Sequence, residues 1–136
     1  MTNYQAELEG VWFARLEAQV TLAPVFQHVP ENTPPPVVII GDITSENQGT
    51  KESPLMLFTV AIVTVTKGHE REPLNLLQGQ IHEALFGWKP PASGGAAFGD
   101  VMLGSSSGHL IATDDGSPVY YGEQSFSQYV FDADPE

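Results

Sequence analysis

The sequence contains no cysteine, which excludes disulfide bridges, thiolate nucleophiles and cysteine-ligated metals, and agrees with an intracellular folding site. Basic residues are almost as scarce: 5 Lys and Arg stand against 17 Asp and Glu, for a formal net charge of -12. Such a surface repels phosphate and disfavours ordinary DNA or RNA binding. It serves either solubility or the passage of nucleic acid without adhesion. No uncharged apolar run is long enough to span a bilayer as a helix.

The stretch Pro54–Thr66 is the most apolar part of the chain, within 136 residues that fit one domain, 1–136. It reads Pro-Leu-Met-Leu-Phe-Thr-Val-Ala-Ile-Val-Thr-Val-Thr, and its β-branched and aromatic residues predict a long buried strand. Both faces of this strand are apolar, so we expect helices to cover one face and a second subunit to cover the other. One face carries Met56, Phe58, Val60 and Ile62, and the other carries Leu55, Leu57, Ala61, Val63 and Val65.

Apolar stripes at helical spacing predict two helices, Thr2–Val20 and Glu70–Phe86. Thr2 and Gln5 fit a capping box for the first helix, and Gly87 is a plausible C-cap for the second. We expect a Trp in such a stripe to belong to the core. The predicted buried faces are Leu8, Trp12, Leu16 and Val20, widened by Val11 and Phe13, and then Leu74, Leu77, Ile81, Ala84 and Leu85.

The remaining apolar segments predict strands. The order is therefore α-β-β-β-α-β-β, an α+β fold with a mostly antiparallel sheet and two helices packed on one face. Loops are predicted at Pro30–Pro36 and Lys89–Gly99, a turn at Asp114-Asp115-Gly116, and an acidic tail at 132–136. The predicted strands besides the central one are Pro24–Val29, Val37–Ile43 and Val119–Phe131. Two further strand pieces, Asp100–Leu103 and His109–Thr113, are predicted on either side of Gly104–Gly108.

The segment Thr44–Ser53 joins two predicted strands and contains no apolar residue that could pack. We therefore expect a hairpin with a long, mobile tip at residues 44–53, which becomes ordered when a partner binds.

The sequence offers few candidates for catalysis. Gly104–Gly108 matches the Gly-x-Ser-x-Gly pattern, so Ser106 is a candidate nucleophile of a small esterase. A nucleophile elbow needs a helix after the serine and a histidine later in the chain, and here a predicted strand follows and no histidine lies beyond His109. The four histidines are scattered, and the turn at residues 114–116 lacks a calcium loop, so no metal or cofactor is expected.

In the order of its elements and in several local patterns, the chain resembles the small tail-completion or tail-terminator proteins of long-tailed bacteriophages and gene transfer agents. The resemblance extends from about Leu8 to Asp132. Besides the opening helix and the polar tip, the matching segments are Pro24-Val25-Phe26, Pro35-Pro36-Val37-Val38-Ile39-Ile40-Gly41-Asp42, Leu57-Phe58-Thr59-Val60, Ile81-His82-Glu83-Ala84-Leu85, and Asp114-Asp115-Gly116 before an aromatic strand.

This resemblance implies a structural virion protein without catalytic residues, assembled in the bacterial cytoplasm. Such a protein forms a ring, typically six-fold, that caps the head-proximal end of the tail tube, stops tube polymerisation and docks on the head connector. Its implied partners are copies of itself, the major tail tube protein and the head-closure protein, while DNA passes through the channel unbound. The interaction residues we expect are Thr44, Ser45, Glu46, Asn47, Gln48, Gly49, Thr50, Lys51, Glu52, Leu55 and Leu57.

Three alternatives remain at this point. The first is a head-closure adaptor or minor tail protein of the same particle. The second is the small serine esterase that uses Ser106. The third is a ligand-binding α+β module with a pocket between sheet and helices, although no residue pattern points to a particular ligand.

Overall fold

The computed structural model describes residues 3–112 and 118–133. In it, the first helix forms where the apolar stripe predicts it. Helix α1 comprises Tyr4–Gln19 and buries Leu8, Trp12 and Leu16 completely. The predicted capping box is wrong: the N-cap is Asn3, whose side-chain oxygen accepts a hydrogen bond of 3.0 Å from the backbone N–H of Ala6. An Asn oxygen at this position satisfies an N–H group that has no partner within the helix.

Helix α2 comprises Glu72–Leu85 and buries all five of the residues predicted for its inner face. Pro73 occupies its first turn, where no intrahelical N–H bond is lost. The C-cap is Phe86, whose extended backbone ends the helix, and the predicted residue Gly87 follows it with φ at 76°, a left-handed conformation that suits glycine.

In the described residues, the strands form one six-stranded sheet in the order β1-β2-β3-β6-β4, with β5 also paired to β6. Only β1 and β2 are parallel, so the α+β fold with a mostly antiparallel sheet is confirmed. The long central strand is also confirmed and pairs along its whole length with the last strand. The bounds are β1 Val25–Phe26, β2 Val37–Asn47, β3 Leu55–Lys67, β4 Ala96–Phe98, β5 Met102–Ala112 and β6 Pro118–Asp132.

Three predicted boundaries are wrong, and in each case pairing with a distant strand is the cause. Strand β2 continues through Asn47, because residues 44–47 pair with β3. Strand β4 lies inside the predicted loop Lys89–Gly99, where Ala96 and Phe98 are buried against the end of β6. The predicted interruption Gly104–Gly108 is part of continuous β5, whose backbone follows β6 with one register shift between Leu103 and Ser105.

Two other predicted features fall partly or wholly outside the described residues. The turn Asp114-Asp115-Gly116 lies in the undescribed segment 113–117. Of the acidic tail 132–136, only Asp132 and Ala133 are described.

Both helices pack on one face of the sheet, as predicted, and the hydrophobic core lies between the helices and the sheet. Trp12 of α1 meets Phe126 of β6 edge to face, with ring centroids 6.4 Å apart. A second contact is polar: the indole Nε1 of Trp12 donates a hydrogen bond of 2.7 Å to Oε1 of Gln128, which is itself fully buried. The opposite face of the sheet has no helix on it in the described part of the chain, and this face positions the candidate site.

Candidate assembly surface

The uncovered face of the sheet consists of the odd-numbered side chains of β3 and β6. Along β3 the burial alternates strictly from Leu57 onward: Phe58, Val60 and Ile62 are buried beneath the helices, while Leu57 and Val63 remain partly exposed. This is the alternation of a strand with only one face buried. We call the other face, formed by the odd-numbered residues 55–65 and 121–131, the open face.

Two apolar clusters lie on the open face, one near each end of β3. At the first end, Leu55 lies opposite Phe131 and Leu57 lies opposite Tyr129 in the register of β3 and β6. Cross-strand neighbours on one face of a sheet lie close enough for aromatic and aliphatic side chains to touch. At the second end Val63 lies opposite Ile39 of β2, and Val65 lies opposite Tyr121.

The middle of the open face is made of small and hydroxyl side chains. Thr59 lies opposite Ser127, and Ala61 lies opposite Ser125. Glu123 is the one charged residue of the open face. A sheet face with so little charge, on a chain of net charge -12, is suited to contact another protein rather than water.

The predicted interaction segment is part strand and part turn. Thr44, Ser45, Glu46 and Asn47 belong to β2, whereas residues 48–54 form the turn to β3. Gln48 N–H donates to Leu55 O at 2.8 Å, and Thr50 and Ser53 exchange two backbone bonds of 3.1 and 3.2 Å. The hairpin is thus closed by its own hydrogen bonds, while its expected mobility stays a prediction.

The predicted residues do come together at one corner of the sheet. Glu46 lies opposite Leu57, so the polar hairpin and the first apolar cluster share one end of the open face. Sequence reasoning missed Tyr129 and Phe131, which complete this cluster. The aromatic residues at alternate positions of the last strand were the signal that could have identified them.

Strand β5 forms an edge that sequence reasoning also missed. In the described residues it pairs only with β6, and its 11 residues include no Lys, Arg, Asp, Glu or Pro. Charges and prolines are the usual protection of an exposed edge strand against pairing with another chain. The unprotected edge is therefore a second surface suited to self-association.

No family model and no curated protein matches this chain. Among solved structures, it is similar to a chain of a structure described as "Virion of native gene transfer agent (GTA) particle". The TM-score is 0.80 at 13% sequence identity, and the match covers 94% of this chain and 97% of that chain. The two chains share one fold over almost their full lengths.

The candidate nucleophile Ser106 does not lie on a nucleophile elbow. It lies in the middle of β5 opposite Gln124, whose side chain is on the helix-covered face of the sheet. His109 lies opposite Tyr121 on the open face, with the two rings 5.4 Å apart. Because the alternation along a strand places residues 106 and 109 on opposite faces, they cannot form a serine–histidine pair.

The described residues contain no group of three or more His, Asp or Glu side chains that could hold a metal ion. Within the same part of the chain, no helix is both long and apolar enough to cross a membrane. The apolar clusters of the open face and the uncharged edge of β5 have a chemistry that favours binding to other protein chains.

Proposed function

We propose that this protein is a structural virion protein that forms a ring at the head-proximal end of a tail tube. The ring caps the tube, stops its polymerisation and docks the tail to the head connector. The observation that carries the proposal is the open apolar face of the sheet, on a fold shared over almost its full length with a chain of a gene transfer agent particle.

The open face supports self-association because its two apolar clusters are partly exposed in a single chain. Covering such clusters with a neighbouring subunit removes apolar surface from water, at about 25 cal/mol for each Å² buried. A ring also needs a contact between different patches of neighbouring subunits, and the β5 edge beside the open face supplies a second patch.

The hairpin end supports docking to another protein. Residues 48–53 are mostly exposed and polar, and they project beside Leu55 and Leu57. In this proposal the hairpin and these two leucines contact the tube or the connector, which are the major tail tube protein and the head-closure protein.

The charge supports a channel through which DNA slides. A net charge of -12 repels the phosphate backbone, whereas a basic lumen would retain it. DNA is thus a passing cargo rather than a ligand.

The decisive experiment removes the protein from its particle and images the tails. Loss of a terminator gives tails of abnormal length, whereas loss of a head-closure adaptor leaves normal tails beside filled or leaking heads. Normal tail lengths after depletion would overturn the terminator role and favour the adaptor or a minor tail protein.

A variant separates the open face from the rest of the molecule. Leu57→Asp introduces a charge into the first apolar cluster, and we expect it to abolish decoration of purified tube ends while the chain stays folded. Ala14→Asp is the control, because Ala14 is exposed on α1, on the helix side of the sheet and away from the open face and the β5 edge. Equal loss of decoration in both variants would contradict a role for the open face.

A further inference from the structure

The exposed large apolar side chains of the described residues fall into two groups. Met102, Leu103, Leu110 and Ile111 lie on β5, while Leu22, Leu76 and Phe86 lie on the helical side of the molecule. The helical group is not explained by the open face, and its members lie at the two ends of α2.

A groove lies at the N-terminal end of α2. Its volume is about 230 Å³, and its walls are Leu22, Pro36, Pro73, Leu76 and Leu77, with Glu70 and Glu72 also lining it. A cavity of about 150 Å³ accommodates benzene, so this groove is large enough for one aromatic ring.

The groove is preformed by hydrogen bonds between the segment after α1 and helix α2. Oε1 of Gln80 accepts hydrogen bonds from the backbone N–H groups of Thr21 and Leu22 at 3.1 and 3.2 Å. Nε2 of Gln80 donates to Oγ1 of Thr21 at 2.9 Å. The wall that carries Leu22 is therefore held in place before any partner arrives.

An aromatic knob lies at the other end of α2. Phe86 is 55% exposed, and its ring stacks on His82 at 5.0 Å between centroids. At the same end of α2, the guanidinium of Arg15 lies 5.0 Å from the centre of the Trp88 ring, and its Nε donates to Ala84 O at 2.9 Å. The knob is thus also held in place by contacts within the chain.

The two ends carry complementary charges. The knob end has Arg15 and the exposed Lys89, two of only 5 basic residues in the chain, with Glu83 one turn before Phe86. The groove has Glu70 and Glu72, while Arg71 between them lies 5.4 Å from the ring of Tyr120. A basic aromatic knob and an acidic apolar groove fit each other in size and in charge.

We propose that Phe86 of one copy binds in the groove of a second copy, with Lys89 and Arg15 facing Glu70 and Glu72. Leu76 of the groove precedes Phe86 by 10 residues along α2, which is about 15 Å at 1.5 Å per residue. They cannot meet within one chain, and a contact between two different patches repeats head to tail until the ring closes. This contact deepens the proposed ring function and rests on it.

The test mixes two variants that each lose one half of the contact. Phe86→Ser removes the knob, and Leu76→Glu adds a third acidic group to the groove and removes part of its apolar wall. Every copy also carries Leu57→Asp, which removes association through the open face, so each variant alone is expected to be a monomer by mass measurement in solution. The equimolar mixture is expected to form a heterodimer and nothing larger, because one knob and one groove remain.

Two controls test the specificity. Ala14→Ser, at an exposed position of α1 outside the knob and the groove, is added to both copies and should leave the heterodimer intact. Glu72→Lys or Lys89→Glu alone should weaken association about fivefold, as expected for an exposed ion pair, and the two changes together in every copy should restore it.

A mixture that stays monomeric, or one that associates no better than either variant alone, overturns the knob-and-groove contact. Tube capping is measured separately on the same variants without Leu57→Asp. A failed heterodimer with intact capping removes this contact and leaves the proposed function. A heterodimer in the mixture together with a wild-type chain that never caps tubes leaves the contact and overturns the terminator role.

Discussion

Trp12 and Gln128, which are 116 positions apart in the chain, are joined in the core by a hydrogen bond of 2.7 Å from the indole Nε1 to Oε1. Nε2 of the same glutamine donates to the backbone oxygen of Gly99 at 2.7 Å. One buried amide thus connects the first helix, the last strand and the segment after β4, and it leaves no polar atom of its side chain without a partner.

Replacing this amide with an apolar group should therefore be costly. Gln128→Leu leaves the Trp12 N–H and the Gly99 carbonyl without partners, and we expect the free energy of unfolding to fall by about 3 kcal/mol. Chemical denaturation measures this change, and Ser127→Ala on the open face serves as a control expected to stay within about 0.5 kcal/mol. Trp12→Phe should lower the free energy of unfolding by less in the Gln128→Leu variant than in the wild type, because the indole N–H has already lost its partner there. Strictly additive losses would contradict this account.

Removing either of two buried hydroxyl groups should have the opposite effect and raise the free energy of unfolding. Oγ1 of Thr64 and Oγ1 of Thr66 are buried on the helix-covered face of β3 without a hydrogen-bond partner. Thr→Val at either position keeps the shape and removes an unpaired polar group, so each change should raise the free energy of unfolding by about 1 kcal/mol. Denaturant midpoints with an unchanged m-value measure the gain, and Thr59→Val on the open face is the control. Destabilisation by either buried valine would indicate that the hydroxyl has a partner.

Alanine substitutions at two glycines, one within α2 and one just after it, should change the free energy of unfolding in opposite directions. Gly79 lies within α2, and a Cβ added there meets nothing within 4 Å, so Gly79→Ala should stabilise the protein by about 1 kcal/mol through helix propensity. Gly87 has equally open space but a φ of 76°, so Gly87→Ala should destabilise by about 1 kcal/mol through backbone strain. Thermal unfolding of the two variants provides the comparison, and a change of the same sign in both would contradict backbone strain at position 87.

The pH dependence at high pH should include Tyr4. Desolvation, the hydrogen bond from its hydroxyl to the Asp132 carboxylate and the charge of that carboxylate raise the pKa of Tyr4 to about 12. Because the folded state holds this proton more tightly than the unfolded state, the contribution to stability is complete below pH 10 and is lost as the pH rises from 10 through 12. Absorbance titration of tyrosinate should show Tyr4 ionising at a higher pH than an ordinary tyrosine, and Asp132→Asn should lower the pKa of Tyr4. Glu17→Gln, at an exposed position of the same helix, should leave the titration unchanged, and a titration unaffected by Asp132→Asn would contradict the assigned pairing.

The helices and the long strand could be predicted because their signals are local. Leu8, Trp12 and Leu16 recur at helical spacing, and the apolar residues of 55–65 predict a strand whatever the rest of the chain does. The absence of cysteine and the charge of -12 excluded whole classes of site before any fold was known.

The edge of the sheet could not be predicted in the same way. The run Gly104–Gly108 has poor strand propensity, yet it is extended because β6 pairs with it across 14 to 20 residues of sequence. Ala96 and Phe98 form a strand for the same reason, against the far end of β6. Pairing partners at such distances leave no periodic signal in the segment itself.

The sequence by itself determined that β3 is apolar on both faces, and only the tertiary structure decided which face the helices cover. The pattern of the last strand does not indicate which face the helices cover. Its buried face includes the polar Gln124 and Gln128, whereas its open face includes the aromatic Tyr129 and Phe131. The helices cover the face that carries Phe126 and Gln128, where Trp12 packs against the ring of Phe126 and its Nε1 donates to the amide oxygen of Gln128. That choice leaves Leu55, Leu57 and the aromatic residues opposite them exposed, and it thereby creates the surface proposed for assembly.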